Sequence, residues 1–276
     1  MLVWRKLASA KWEDAWVERL RFVGPERLAI TSVTGSRMVR LEAYAITEKE
    51  GRHLVREFGG TVRTGSAKMA RVAARDEAPV KIRSRLILVK NEPSRDKLQQ
   101  QFPLRKVIVV PAAMAFGTGE HATTAQCLRF LCDAAADRRT EPWDMLDLGT
   151  GTGVLAIAAR ALGASRAEAF DFDPQAVRTA RENVRLNRAN GIAVRRVDVT
   201  DWIPSRSFAV VTANLFSEVL IRAAPAIVAS VAANGMLLVS GILRSQESDS
   251  LREFQRHLRL GTVARRGKWV TALFHH

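Results

Sequence analysis

From about residue 142 the apolar positions fall into a regular rhythm. Met145 to Leu148 is an apolar run that ends in Gly149-Thr150-Gly151-Thr152-Gly153, and Val154 to Leu162 is an Ala-rich helical stretch stopped by Gly163. Ala167 to Phe172 predicts a second strand. Asp173 then caps a helix with Pro174 at its first position, which runs to about Asn187. Ile192 to Val197 and Phe208 to Thr212 predict the third and fourth strands, ending at Asp198 and at Ala213-Asn214. A helix over 217–232, a strand over 236–240, a helix near 246–258 and two strands around 260–274 complete the pattern. A further helix is expected ahead of the first strand, after residue 124. Strands alternating with helices predict an α/β fold built on a doubly wound, mostly parallel sheet.

The first 75 residues follow a different rhythm. Leu2 to Leu7 is a short apolar run, and Trp12, Trp16, Leu20 and Val23 fall at helical spacing. Leu28 to Val33 and Met38 to Ala45 predict strands around a Thr34-Gly35-Ser36 turn. Thr47 and Glu50 form a capping-box pattern that opens a second helix, closed by Gly59-Gly60, and Thr61 to Arg63 begins a last strand. That order is the split βαβ plan of a smaller, ferredoxin-like α+β domain. Its tryptophans are expected in its core. Between the two patterns, 82–89 and 106–110 predict strands, and 76–79 and 91–96 predict loops. The expected organisation is therefore 1–75 as an α+β domain, 76–112 as a connector and 113–276 as the sheet domain.

Composition narrows the class. With 276 residues and 47% hydrophobic content, the chain is neither disordered, collagen-like nor a disulfide scaffold. The net charge of +15 is uneven, because residues 1–110 hold 23 basic and 12 acidic side chains, a net of +11. Such a surface attracts RNA, ribonucleoprotein or acidic protein. Only nine of the 43 cations are Lys, so the Arg excess also fits a GC-rich codon bias. Cys127 and Cys132 lack metal-ligand spacing and predict neither a metal site nor a disulfide framework, which suits a reducing compartment. Arg5, Lys6 and Lys11 interrupt any early apolar run, so no signal peptide is expected. The uncharged stretch 223–243 contains Pro225 and the turn pair Asn234-Gly235, and reads as helix, turn and buried strand rather than a membrane span. A cytoplasmic protein without a membrane partner is the expectation.

In a doubly wound sheet, ligands bind beyond the carboxyl ends of the strands. Here those ends carry Asp147 to Gly153, Asp171, Asp198 and Asn214. Glycines let the backbone approach a ligand closely, and the next helix offers free N–H groups. Asp171 stands at the end of the second strand, where a carboxylate can accept both hydroxyl hydrogens of a ribose. Gly151-Thr152-Gly153-Val154-Leu155-Ala156 also satisfies the G-x-G-x-x-A dinucleotide fingerprint, with Asp171 twenty residues on. From the loop alone, a nicotinamide enzyme therefore stands beside other nucleoside-cofactor enzymes.

Four separated motifs decide between them. These are MAFGTGEHATT (114–124), DLGTGTGVLAIAA (147–159), DFDPQAV (171–177) and Ala-Asn-Leu-Phe (213–216). In this order they strongly resemble the PrmA-type ribosomal protein methyltransferases, as do SGIL (240–243), Gln246 and Trp269. Members of that family are class I enzymes that use S-adenosylmethionine to methylate amino groups, those of lysine included, on a protein of the large ribosomal subunit. The resemblance covers about residues 82–276. This chain has Ala122 where the family usually has Pro, and Leu215-Phe216 where it usually reads Ile-Leu. The second change lies beside the expected methyl-acceptor position.

The resemblance implies cofactor contacts from Thr124, Gly149, Asp171 and Asn214. It places the backbones of Gly151 and Gly153 along the methionine portion, Asp198 near the adenine amino group and Phe116 over the cofactor. It implies a catalytic role for Asn214, whose side-chain oxygen can aim the acceptor amine. His121 is expected to fix its loop rather than act as a base. The implied partner is a ribosomal protein, with the basic N-terminal part open to RNA. A nucleic-acid methyltransferase of the same fold and a catalytically silent cofactor-binding module are the alternatives.

Overall fold

A computed structural model of the chain describes residues 1–10, 16, 19–20, 23, 27–33, 36–65, 79–111, 119, 121–138 and 141–276. The chain forms two compact units, Met1–Glu77 and Ala78–His276. The first contains β1 (Leu2–Ser9), β2 (Leu28–Ser32), β3 (Met38–Ile46), α1 (Glu48–Phe58) and β4 (Thr61–Thr64). Its strands form an antiparallel sheet in the order β2-β3-β1-β4. Alternation along β1 and β3 turns Trp4, Val39, Leu41 and Ala43 into one core with Leu20 and Leu54. The Trp4 indole N–H donates to the Gly59 carbonyl at 2.8 Å, which satisfies the polar edge of this fully buried ring. The capping box is present: Glu50 N–H reaches Thr47 Oγ1, and Thr47 N–H reaches the Glu50 carboxylate. Arg27 braces the same carboxylate, and these bonds hold Glu50 at about 2, well below the usual range. Trp12 and the expected turn at 34–35 lie outside the described residues.

The stretch expected as a connector has more structure than the sequence pattern suggests. β5 (Val80–Ile82) and β6 (Leu86–Val89) form a tight antiparallel hairpin where a single strand over 82–89 was expected. The turn at 83–85 contains no Gly or Pro, and Arg83 takes a positive φ of 49°. The expected loop at 91–96 is the start of a helix, α2 (Glu92–Gln101), with Asn91 as N-cap and Pro93 in its first turn. α2 fully buries none of its residues, so it has no apolar stripe for periodicity to detect. It crosses over to β7 (Lys106–Val109), which pairs parallel to β6. Ile82, Leu86, Leu88 and Ile108 join the same core as the helices of the larger sheet, so this small sheet is part of the second unit.

The larger sheet follows α3 (Ala122–Asp137). It comprises β8 (Asp144–Leu148), α4 (Val154–Ala161), β9 (Arg166–Asp171), α5 (Pro174–Leu186), β10 (Ile192–Arg196), β11 (Phe208–Asn214), α6 (Ser217–Ala229), β12 (Val231–Leu243), α7 (Glu247–Gln255), β13 (Arg259–Arg266) and β14 (Trp269–His275). β12 begins earlier and runs longer than its expected 236–240, with an irregularity at Asn234-Gly235. The strand order is β10-β9-β8-β11-β12-β14-β13. All pairs from β10 to β12 are parallel, and β14 and β13 are antiparallel additions. Residues of α3, α4 and α5 share one buried cluster, and those of α6 and α7 share the other. The chain winds outward from β8 to β10 and then returns to β11 beside β8. That reversal is a topological switch point, where the diverging connections leave a crevice at the strand ends. Among the described residues no helix is long and apolar enough to cross a membrane.

Candidate functional site

β8 alternates Met145 into one core and Leu146 and Leu148 into the other, which aims Asp147 into the same face as Met145. Asp147 is completely buried. Its two oxygens accept hydroxyl hydrogens from Thr150 and Thr212, each at 2.6 Å. One threonine lies in the glycine loop and the other on β11, so the carboxylate ties together the two sides of the switch point. Burial outweighs these bonds and raises Asp147 to about 6. The sequence pattern marked Asp147 only as a strand-end acid. Its pairing with a threonine 65 residues away has no local signal.

The glycine loop turns sharply after β8. Gly149 and Thr150 N–H both donate to the Phe170 carbonyl at 2.9 Å. Gly149 has φ +72°, and a side chain there would overlap Leu215 Cδ2 and lie 3.1 Å from its Cγ. Leu215 is clamped from the other side too, because its N–H donates to Ser240 at 3.1 Å and its backbone lies against Gly241, φ +85°. Glycine at both positions lets the strand ends close on one another. Gly151 N–H donates to Asp171 Oδ2 at 2.9 Å, and Asp173 N–H donates to Oδ1 at 3.1 Å. Asp171 is thus buried and oriented by two backbone donors, yet burial still raises its pKa. Gly153 N-caps α4. A Cβ on it would sit 3.2 Å from that of Ala180, so this glycine allows α4 and α5 to pack closely.

Asn214 ends β11, opposite Ser240 of β12 in register. Its Oδ1 is buried and has no hydrogen-bond partner among the described residues. The same holds for Thr124 Oγ1, on the first turn of α3. One turn further along that helix lies the buried Cys127, near Ser240, whose hydroxyl pairs with Thr271 at 2.7 Å. Cys127 is pushed up to about 12 by burial, so it is a buried thiol and not a nucleophile. This proximity brings α3, and Thr124 with it, toward the Asn214 end of the sheet. Two unsatisfied acceptors and an oriented carboxylate are costly in a closed core and suit a polar ligand.

His121 N-caps α3, with its Nδ1 2.7 Å from Thr123 Oγ1, and its ring meets Trp269 edge-on at 5.1 Å. These contacts fix the start of the helix. Gln246 accepts from the Ser217 hydroxyl at 2.9 Å, joining the turn before α7 to the start of α6. Asp198 is exposed two residues beyond β10, and its Oδ1 accepts both the N–H and hydroxyl of Thr200, which lowers its pKa. It is not among the groups joined by the contacts above. Phe116 lies outside the described residues. Two exposed rings stand beside the site residues: Phe216, 73% exposed and marked in the sequence by its departure from the family pattern, lies two residues after Asn214, and Phe172, 65% exposed, follows Asp171 and was not singled out. For Phe172, a large apolar side chain directly after a strand-end polar residue is the signal.

Comparisons with known proteins bear on this arrangement. The family model described as ribosomal protein L11 methyltransferase (PrmA) matches residues 68–276. A ribosomal protein L11 methyltransferase of Citrifermentans bemidjiense is 40% identical over 174 residues, covering 62% of this chain and 55% of that protein. One from Rhizobium rhizogenes is 40% identical over 198 residues, covering 69% of this chain and 65% of that protein. The chain thus spans somewhat over half the length of these relatives. The crystal structure of a ribosomal protein L11 methylase from Lactobacillus delbrueckii subsp. bulgaricus has a TM-score of 0.60 at 23% identity. It covers 72% of this chain and 98% of that one, and shares the fold. With the family model spanning the whole of the glycine loop, the strand-end acids and Asn214, the chain belongs to the ribosomal protein L11 methyltransferase (PrmA) family.

Proposed function

We propose that this chain transfers a methyl group from S-adenosylmethionine to an amino nitrogen of ribosomal protein L11. The observation that carries the reading is the convergence, at one topological switch point, of the Asp171 carboxylate, the glycine loop and the buried Asn214 Oδ1, which has no partner among the described residues. The substrate follows from the names of the relatives. The residues present fit the cofactor. Asp171 has lone pairs left after its two backbone bonds, enough to accept a pair of ribose hydroxyls. Gly149, Gly151 and Gly153 keep the floor free of side chains, and Thr124 Oγ1 supplies a further polar contact. Phe116 and Asp198 complete the proposed cofactor set, the first over the cofactor and the second near its adenine.

When bound, the cofactor supplies a methyl carbon already activated by its sulfonium. The protein must align an amine lone pair with that carbon. An ammonium has no lone pair, so the acceptor loses one proton to water before attack. Asn214 Oδ1 then accepts an N–H of the neutral amine and aims its lone pair. As nitrogen gains positive charge, the same oxygen stabilises it. Transfer would form one N–C bond at the expense of one C–S bond and leave a methylammonium, which keeps its remaining protons near neutral pH. Gly149, Ser240 and Gly241 hold Leu215, the residue next to Asn214, from both sides.

The first unit is read as a ferredoxin-like domain that recruits the substrate. Its antiparallel β2-β3-β1-β4 order and the placement of α1 between β3 and β4 support the fold. Residues 1–77 hold 15 basic and 10 acidic side chains, a net of +5, and the rest of the excess counted over 1–110 belongs to the second unit. Incubating the purified protein with radiolabelled methyl donor and cell extract tests the whole reading. Label in a single ribosomal protein of the large subunit supports it, and label confined to RNA contradicts it.

A further inference from the structure

A second concave feature lies on the surface of the second unit, between α5 and the edge strand β10. It is a recess of about 390 Å³ lined by Arg178, Arg181, Arg185 and Arg196 over Val177, with Glu182 as the one carboxylate in its wall. Arg178, Arg181 and Arg185 share one face of α5, at i, i+3 and i+7. At a rise of 1.5 Å per residue they recur at about 4.5 and 6 Å along the helix axis. All four arginines are exposed. Arg181 donates twice to the Val194 carbonyl, and Arg196 donates through Nε to the Phe172 carbonyl at 3.1 Å. Two guanidinium groups are therefore held in place with N–H groups to spare. Arg178 and Arg185 have no hydrogen-bond or ion-pair partner among the described residues. Elsewhere in this unit the basic side chains often carry acids with them, as in the pairing of Arg206 with Asp144 and Glu168.

We propose that this recess binds the phosphodiester backbone of a single-stranded nucleic acid. The planar arginine fork matches phosphate oxygens two at a time. A nucleic-acid strand presents one charge per nucleotide along a continuous line, as the row of arginines on α5 does. Acidic side chains of an extended peptide alternate between two faces and meet such a row only at every second residue. A recess of about 390 Å³ seats a short stretch of one strand. The recess adjoins the Asp171 strand end through Arg196, and the proposal does not depend on the methyl-transfer reading.

Fluorescence anisotropy with labelled oligouridylate and oligothymidylate, at salt between about 50 and 200 mM, tests the proposal. Four phosphate contacts contribute a slope of about −2.8 to a plot of log K against log salt. The variant Arg178→Glu/Arg185→Glu should weaken binding at low salt by tenfold or more and flatten the slope by about 1.4. Other basic surfaces of the chain bind in both proteins and cancel in the difference. Equal losses for the two oligomers support backbone recognition, and a larger loss for the uridylate supports it with an added ribose contact. Arg178→Gln/Arg185→Gln, checked by thermal melting, repeats the measurement without charge reversal. Unchanged affinity and slope in both folded variants overturn the proposal. So does polyglutamate that displaces the oligomers from wild-type protein but not from the variants at concentrations where free oligouridylate fails to do so.

Discussion

Asp147 offers a test of how the switch point is built. Its carboxylate is fully buried, bonded to Thr150 and Thr212, and raised from 3.8 to about 6. A carboxyl group raised on folding stabilises the native state most at low pH, where it is protonated in both states. As pH climbs past 3.8 the unfolded chain releases this proton while the folded chain keeps it, so stability falls. The fall ends once pH exceeds about 6, after a loss of about 3 kcal/mol. Asp147→Asn removes the titration but keeps the shape. Its amide oxygen can accept from one threonine and its N–H₂ can donate to the other. Asp171 is coupled to Asp147 through its charge, so the variant-minus-wild-type difference reads Asp147 together with that coupling. Between pH 4.5 and 7.5 that difference should shift in favour of the variant by about 2 kcal/mol. Urea unfolding followed by circular dichroism at several pH values reads it directly. A difference that stays constant with pH, or that moves against the variant as pH rises, refutes the reasoning. It would mean that the two hydroxyls stabilise the charge more than burial penalises it.

Three substitutions probe the remaining parts of the site. Asp171→Ala removes the oriented carboxylate and should cost about 1.5–3 kcal/mol of S-adenosylmethionine affinity, roughly ten- to hundredfold by calorimetry; wild-type affinity would remove Asp171 from the cofactor set. Gly149→Ala forces a left-handed residue against Leu215, at about 1–3 kcal/mol for the overpacking alone. Both its melting temperature and its cofactor affinity should fall, and unchanged values would contradict the clamp. Asn214→Ala should lower single-turnover methyl transfer at saturating cofactor by a hundred- to thousandfold, about 2.7–4 kcal/mol. If Asn214 serves only as a turn residue, the variant instead melts earlier but keeps its rate.

The parts of the molecule that were legible in the sequence are those whose physics is local. The glycine loop announces itself because positive φ at Gly149 and Gly153 admits few other residues. Asp173-Pro174 marks the start of α5 through capping chemistry, and the structure has Asp173 accepting from Gln175 N–H as that pattern requires. α2 was illegible because it packs without fully burying a residue, so periodicity had nothing to report. The β5–β6 hairpin was illegible because Arg83 adopts the positive φ that a glycine would have advertised. The Asp147 network and the Ser240–Thr271 pair join residues far apart in sequence. Side-chain bonds of that kind depend on strand order, which the sequence pattern does not encode. Asp198 looked equivalent to Asp171 as a strand-end acid, yet the structure leaves it exposed and bonded to Thr200. What separates the two is burial, which only the fold assigns.

The central claim is that the Asp171 loop and Asn214 bring a methyl donor and a protein amine together. The most direct measurement is intact-protein and peptide mass spectrometry of purified ribosomal protein L11 after incubation with this protein and S-adenosylmethionine. The expected result is a mass increase in whole methyl units, mapped to an amino group, that disappears with Asn214→Ala or Asp171→Ala enzyme. L11 unchanged in mass after incubation with folded, cofactor-binding wild-type protein would contradict it.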